Sequence, residues 1–140
     1  MDKAAVIEWL EQVEKLDELI RAKRNDIADI MDRATKITAS IDGMPHGSGK
    51  SDKVGDNAVK LADNRREELH TLERKKEYII KTIETLPAKE YGVIYREFVL
   101  LMTQEQIAFD MCYSTVQIWR FKKQALKRLG EILEKKGDRF

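Results

Sequence analysis

One cysteine, Cys112, in 140 residues leaves no basis for an internal disulfide framework and fits a reducing cytosol. Two prolines, Pro45 and Pro87, are too few to interrupt long helices. No apolar run approaches the 18 or so residues that a membrane-spanning helix needs, so no membrane partner is expected. No basic-then-apolar leader opens the chain, so no secretion signal is expected either. Neither sign of charge is in excess, because Lys and Arg number 26 against 25 for Asp and Glu.

What is there is charge at helical spacing. Charged residues make up 36% of the chain, and apolar residues recur between them with helical periods, so the expected fold class is all-α. The near-zero net charge conceals an asymmetry. Residues 113–140 hold eight bases (Arg120, Lys122, Lys123, Lys127, Arg128, Lys135, Lys136 and Arg139) and three acids (Glu131, Glu134 and Asp138). That is a net +5, which leaves −4 on the other 112 residues. A basic end on an acidic body suits a polyanionic partner, although a lysine-rich solvated helix face has the same composition.

Val6, Val13, Ile20, Ile27, Ala34 and Ile41 recur every seven residues, and Trp9, Leu16, Ile30 and Ile37 fall three after members of that series, with Lys23 the polar exception. This heptad seam predicts one long helix whose stripe needs a partner helix. The stretch 42–55 reads as a loop, since it holds four of the seven glycines, Pro45, Ser48 and Ser51. Asp56 is a candidate N-cap for a second long helix to Leu86, with Ala58, Ala62, Leu69, Leu72, Ile79, Ile83 and Leu86 on its seam and Arg65 and Lys76 interrupting it. The division expected is a helical hairpin over 1–86 and a C-terminal module over 87–140. The hairpin closes on itself, pairs with its copy in a homo-oligomer, or does both.

Pro87 opens the C-terminal module. A helix is expected over Ala88 to Leu101, with Tyr91, Ile94, Tyr95, Phe98 and Val99 on its inner side. Gln104 to Lys123 then read as a helix-turn-helix. Ile107 and Ala108 face inward on the first helix and Met111 closes it. Ser114 caps a second helix with Ile118 and Phe121 inward, running on to about Lys136 through Ala125, Leu126, Leu129, Ile132 and Leu133. The ten residues between Ala108 and Ile118 let a small side chain nest under a branched one, so the helices cross tightly and free the second to enter a DNA major groove. Thr115, Val116, Gln117 and Arg120 are the candidates for base edges, glutamine suiting adenine and arginine guanine. Ser114, Lys122, Lys123 and Lys127 are the candidates for phosphate contact. Trp119 either stacks on the preceding helix or rests against the DNA backbone, and packing is the favoured reading. Cys112 stands where the turn commonly has glycine, at a cost of roughly 1 kcal/mol for left-handed backbone.

Other chemistry finds little purchase. Residues 47–51, GSGKS, end like a phosphate-binding loop, but the leading glycine is one place early at Gly43, Met44 stands where it belongs, and a charged helix leads in instead of a strand. His46 and His70 have no cysteine or carboxylate at ligand spacing, so no metal is expected. Glu67-Glu68 and Asp17-Glu18 are adjacent, not facing. No catalytic arrangement and no cofactor site is expected.

The stretch LPAKEYGVIYREFVLLMTQEQIAFDMCYSTVQIWRFKKQALKRL resembles the fourth region of bacterial sigma factors, and more closely the C-terminal domains of phage late-transcription regulators of the ArpU and RinA type. YSTVQIWRFKKQALKRL is its most specific part, and Cys112 is a departure. IDGMPHGSGKSDKVGDNAV after a long helix is also similar to a family of phage proteins in Gram-positive hosts. The resemblance implies sequence-specific binding of double-stranded DNA in a bacterial cytoplasm, activation of phage or prophage late genes, and contact with RNA polymerase. The rival expectation is a helical interaction module that binds polymerase or a DNA-packaging component, like a small terminase subunit, without touching DNA.

Overall fold

The computed structural model describes residues 2–41 and 48–137, and the side chains of 2–35 and 56–137. The fold is all-α, with no strand among the described residues. Its elements are α1 (Lys3–Ile41), α2 (Ser48–Glu84), α3 (Ala88–Ile94) running into a π-helical turn (Tyr95–Val99), α4 (Gln104–Met111) and α5 (Thr115–Lys136).

The chain divides into two compact units. One joins Met1–Leu16 to Lys75–Phe140, and the other is Asp17–Arg74. This differs from a division at 86/87. The first four turns of α1 belong with the C-terminal helices because their apolar stripe is wider than a heptad seam. Leu10, outside the seven-residue series, is fully buried together with Val6 and Val13, and Trp9 and Leu16 nearly so. Apolar residues at i, i+3, i+4 and i+7 make a face for a globular core, not for a two-helix seam. The same unit buries Ile79, Ile83 and Leu86 from the end of α2, and Leu126, Leu129 and Leu133 from α5. Lys136 lies 5.3 Å from the Tyr78 ring centre and ties the end of α5 to α2.

In the second unit the seam is less covered, and Met31 beside it is exposed. Ile20 and Ala62 are buried, while Ile27, Ile30, Ala34, Leu69 and Leu72 are half-buried. Cross-helix ion pairs join α1 to α2 here, Lys23 to Glu68 and Arg24 to Glu73 at 3.2 Å. The hairpin therefore closes within one chain. Lys23, the polar exception in the seam, is half-buried and donates to Glu68, and that bond holds the Glu68 carboxyl below its ordinary value of 4.5. α2 starts at Ser48, not Asp56, so 48–55 of the expected 42–55 loop is helical. The rest of that loop, with Gly43, Met44 and His46, lies outside the described residues, as do the side chains of Ile37, Ile41 and 47–51.

Pro87 terminates α2 as expected, and its carbonyl accepts from the Tyr91 N–H at 2.8 Å to open α3. The single helix expected over Ala88 to Leu101 is not what forms. At Tyr95 the winding loosens: the Leu100 N–H reaches back five residues to Tyr95 O at 3.1 Å, and the Met102 N–H reaches Arg96 O at 2.9 Å. One residue is gained per turn, so the buried face rotates. Ile94 and Phe98 are buried as expected, but Tyr91, Tyr95 and Val99 are only half-buried, and Glu90, Gly92 and Val93 take the inner positions. Burial pushes the Tyr91 phenol above its ordinary value, with Tyr95 adding to the shift.

Candidate nucleic-acid interface

α4, the turn and α5 form the helix-turn-helix around a core of Val93, Ile107, Ala108 and Ile118, with Met102, Met111, Tyr113 and Phe121 packed against it. Ala108 and Ile118 meet in that core as their ten-residue spacing requires. Gly92 lets α3 approach: a Cβ there would lie 3.0 Å from Met111 Cε and 3.0 Å from Arg96 Nη1.

The turn is held by backbone. Cys112 is left-handed, with φ 61 and ψ 39. The Tyr113 N–H donates to Ala108 O at 3.0 Å and the Cys112 N–H to Phe109 O at 3.4 Å. This pair of bonds is the Schellman ending of a helix, in which glycine is favoured and cysteine is accommodated here. Tyr113 packs edge-on against Phe121, ring centres 5.1 Å apart, and Lys89 Nζ lies 5.6 and 5.8 Å from the two ring centres.

Both helices then start the same way. Thr103 caps α4 by accepting from the Gln106 N–H while the Gln106 side chain accepts from the Thr103 N–H, and Ser114 and Gln117 do the same for α5. Two capping boxes satisfy four N–H groups that a helix start otherwise leaves open. The second box defines what Ser114 and Gln117 do in the free protein. The Ser114 hydroxyl accepts from Gln117 N at 3.2 Å, and Gln117 Oε1 accepts from Ser114 N at 3.3 Å. The Gln117 amide nitrogen remains as the donor for another partner.

α5 divides by face. Ile118, Ala125, Leu126, Leu129 and Leu133 are buried. Ser114, Thr115, Val116, Gln117, Arg120, Lys123 and Lys127 are all exposed. Arg120, Lys123 and Lys127 have no ion-pair partner among the described residues. Lys123 instead lies 5.2 Å from the Trp119 ring centre. Trp119 itself is 49% exposed and is not part of the buried core. It stands beside Val116, 56% exposed, on the outward surface.

Lys122 does not join that surface. Its side chain is only 22% exposed, and Nζ donates to Glu97 Oε1 at 2.8 Å over the Phe98 ring. The π-helical turn carries Glu97, and that carboxylate claims the lysine for the inside of the module. Glu97 Oε2 is buried and accepts no hydrogen bond. A parallel pair, Arg128 Nε to the buried Glu90 at 3.0 Å, ties α5 to α3. Arg96 bridges to α4, donating to Asp110 at 2.6 Å and to Gly92 O at 3.1 Å.

Two features escaped the sequence reading. Thr103 and Gln106 repeat the Ser114-x-x-Gln117 spacing, a signal present in the sequence. An apolar surface on and before α4 was not legible: Phe109 is 87% exposed, with Leu100 and Leu101 also exposed. Among the described residues, no three His, Cys, Asp or Glu side chains gather to hold a metal ion, and no helix is long and apolar enough to cross a membrane. Compared over its length, the chain matches no protein-family model, no curated protein and no solved structure.

Proposed function

We propose that this chain is a sequence-specific binder of double-stranded DNA that regulates transcription, with α5 as the helix that enters the major groove. The observation that carries the reading is the outward face of α5. Val116, Arg120, Lys123 and Lys127 share it at helical spacing, with Thr115 and Gln117 exposed on either side at the capped helix start directly after a tight turn. An α-helix fits the major groove, and residues near the start of such a helix meet base edges. Arg120 suits guanine, the free amide N–H of Gln117 suits an acceptor, and Val116 suits a thymine methyl. Lys123 and Lys127 suit phosphates, and Ser114 acts through the cap that sets the helix. Lys122 is withdrawn from the phosphate set.

The resemblance to phage late-transcription regulators extends this reading to activation of late genes from a phage or prophage in a bacterial cytoplasm. RNA polymerase and a second copy of the chain are its further partners. No catalysis, cofactor or metal enters it. The test is fluorescence anisotropy with tiled fragments of the surrounding genome, at two salt concentrations and with competitor DNA. One fragment retained at the higher salt is the expected result. No binding, or weak uniform binding lost with salt, would remove specific recognition.

The second reading, a helical module that docks on polymerase or a packaging component, is favoured by a different observation. Phe109, Leu100 and Leu101 expose apolar surface of the kind that marks protein contacts. Salt-insensitive capture of a protein partner that is lost in Phe109→Ser, with no DNA binding, would select it.

A further inference from the structure

Lys3 and Lys123 are 120 positions apart in sequence, yet they line one groove of about 320 Å³, together with Leu126, Lys127, Gly130 and Glu131. All six belong to the same compact unit. Leu126 and Gly130 are buried and form the floor, while the three lysines and one glutamate stand exposed at the walls. Three ammonium groups against one carboxylate leave the groove cationic. Lys3 and Lys127 have no ion-pair partner among the described residues, so their charge is not consumed internally. Lys123 belongs to both surfaces, as it lines this groove and lies over Trp119 on the outward face of α5. The groove therefore continues the face that carries Val116 and Arg120.

We infer that Lys3, at the start of α1, joins Lys123 and Lys127 in a phosphate-binding groove that holds the DNA backbone beside the segment read by α5. This rests on the DNA reading and deepens it, because it makes the N-terminal helix part of the DNA-contacting unit. A lysine ammonium is a compact charge suited to phosphate, and such contacts set affinity and register without reading sequence. Each neutralised phosphate releases counterions, so each contact contributes about 0.9 to the slope of log affinity against log salt.

The full chain is measured by anisotropy on one duplex over a salt series, as it stands and as Lys3→Gln, Lys3→Arg and Lys15→Gln. Lys15 is an exposed lysine of the same unit that does not line the groove. Lys3→Gln is expected to reduce the slope by about 0.9, so that the affinity lost between about 50 and about 200 mM salt shrinks about threefold. The effect should be the same on specific and competitor DNA. Lys3→Arg should keep the slope, and Lys15→Gln should leave it unchanged. Lys3→Gln with an unchanged slope, or Lys15→Gln with an equal loss, overturns the groove assignment while the DNA reading stands. Absence of duplex binding by the unsubstituted chain overturns both.

Discussion

The first fourteen residues of α1 and the eighteen that follow share one seven-residue rhythm, yet they are stabilised differently. In the first stretch Leu10 fills the gap beside the seam, and Val6, Trp9, Leu10 and Val13 are buried in a core shared with the C-terminal helices. In the second, Ile27, Ile30 and Ala34 are half-buried, and ion pairs from Lys23 and Arg24 reach α2. The same period thus serves two kinds of burial. What separates them is how far that face is covered: Met31 stands four after Ile27 as Leu10 stands four after Val6, yet Met31 is 38% exposed while Leu10 is fully buried.

That contrast can be broken most forcefully at the core of the helix-turn-helix. Ile118→Ala removes a fully buried branched side chain and should cost about 2–5 kcal/mol in a denaturant melt. Ile27→Ala in the half-buried seam should cost distinctly less, and equal losses would mean that the two units are not stabilised differently.

Removing an internal partner comes next. Glu97→Ala leaves the Lys122 ammonium over Phe98 without its carboxylate and should cost about 1–3 kcal/mol. Arg120→Ala is the complementary case. It should leave the melt unchanged and weaken the preferred DNA by about 1–3 kcal/mol, with base preference relaxed at one position of the site. Unchanged affinity and preference would show that α5 does not lie in the groove as assigned.

Cys112→Gly supplies glycine at a left-handed position and should raise stability by less than about 1 kcal/mol, because the relief of strain is partly offset by the freer unfolded chain. The smallest effect belongs to the hairpin. The Glu68 carboxyl is held below 4.5 by Lys23, so the contribution of that pair is fully present above pH 4.5 and is lost as pH falls through the lower, folded value. Amide exchange within 17–74 should quicken over that acid range relative to Glu68→Gln measured under the same conditions. Equal acid sensitivity in the two proteins would remove the pair from the account.

Much of this architecture is readable from residue order alone, because local rules and tertiary packing agree there. The α2 seam runs through Arg65 and Lys76, both half-buried on the expected line, since a long aliphatic stem can cover a seam while its charge reaches water. Ser114, Met111 and the Ala108/Ile118 spacing act over one turn and appear where expected. Long-range causes account for the misreadings. Nothing within Tyr95–Val99 announces a π-helical turn, as the stretch YREFV holds no glycine or proline. Lys122 looks like a phosphate contact until Glu97, 25 positions away, withdraws it. Trp119, open to two readings in the sequence, stands half exposed outside the core of Val93, Ile107, Ala108 and Ile118. Lys3 carries no local mark, and only the return of the chain brings it beside Lys127.

The insertion of 17–74 between the two pieces of the larger unit has a consequence for synthesis. Val6, Trp9, Leu10 and Val13 emerge from the ribosome more than a hundred positions ahead of Leu126 and Leu129. At roughly 5–20 residues per second they wait several seconds or more for the rest of their core. The hairpin, contiguous in sequence, is complete well before that. Once it closes, it holds the ends of the intervening segment together, so the late-arriving helices meet a docking surface already assembled. An unstable hairpin would thus be felt first as a nascent chain with an exposed tryptophan stripe, prone to aggregate before the rest of the larger unit has been made.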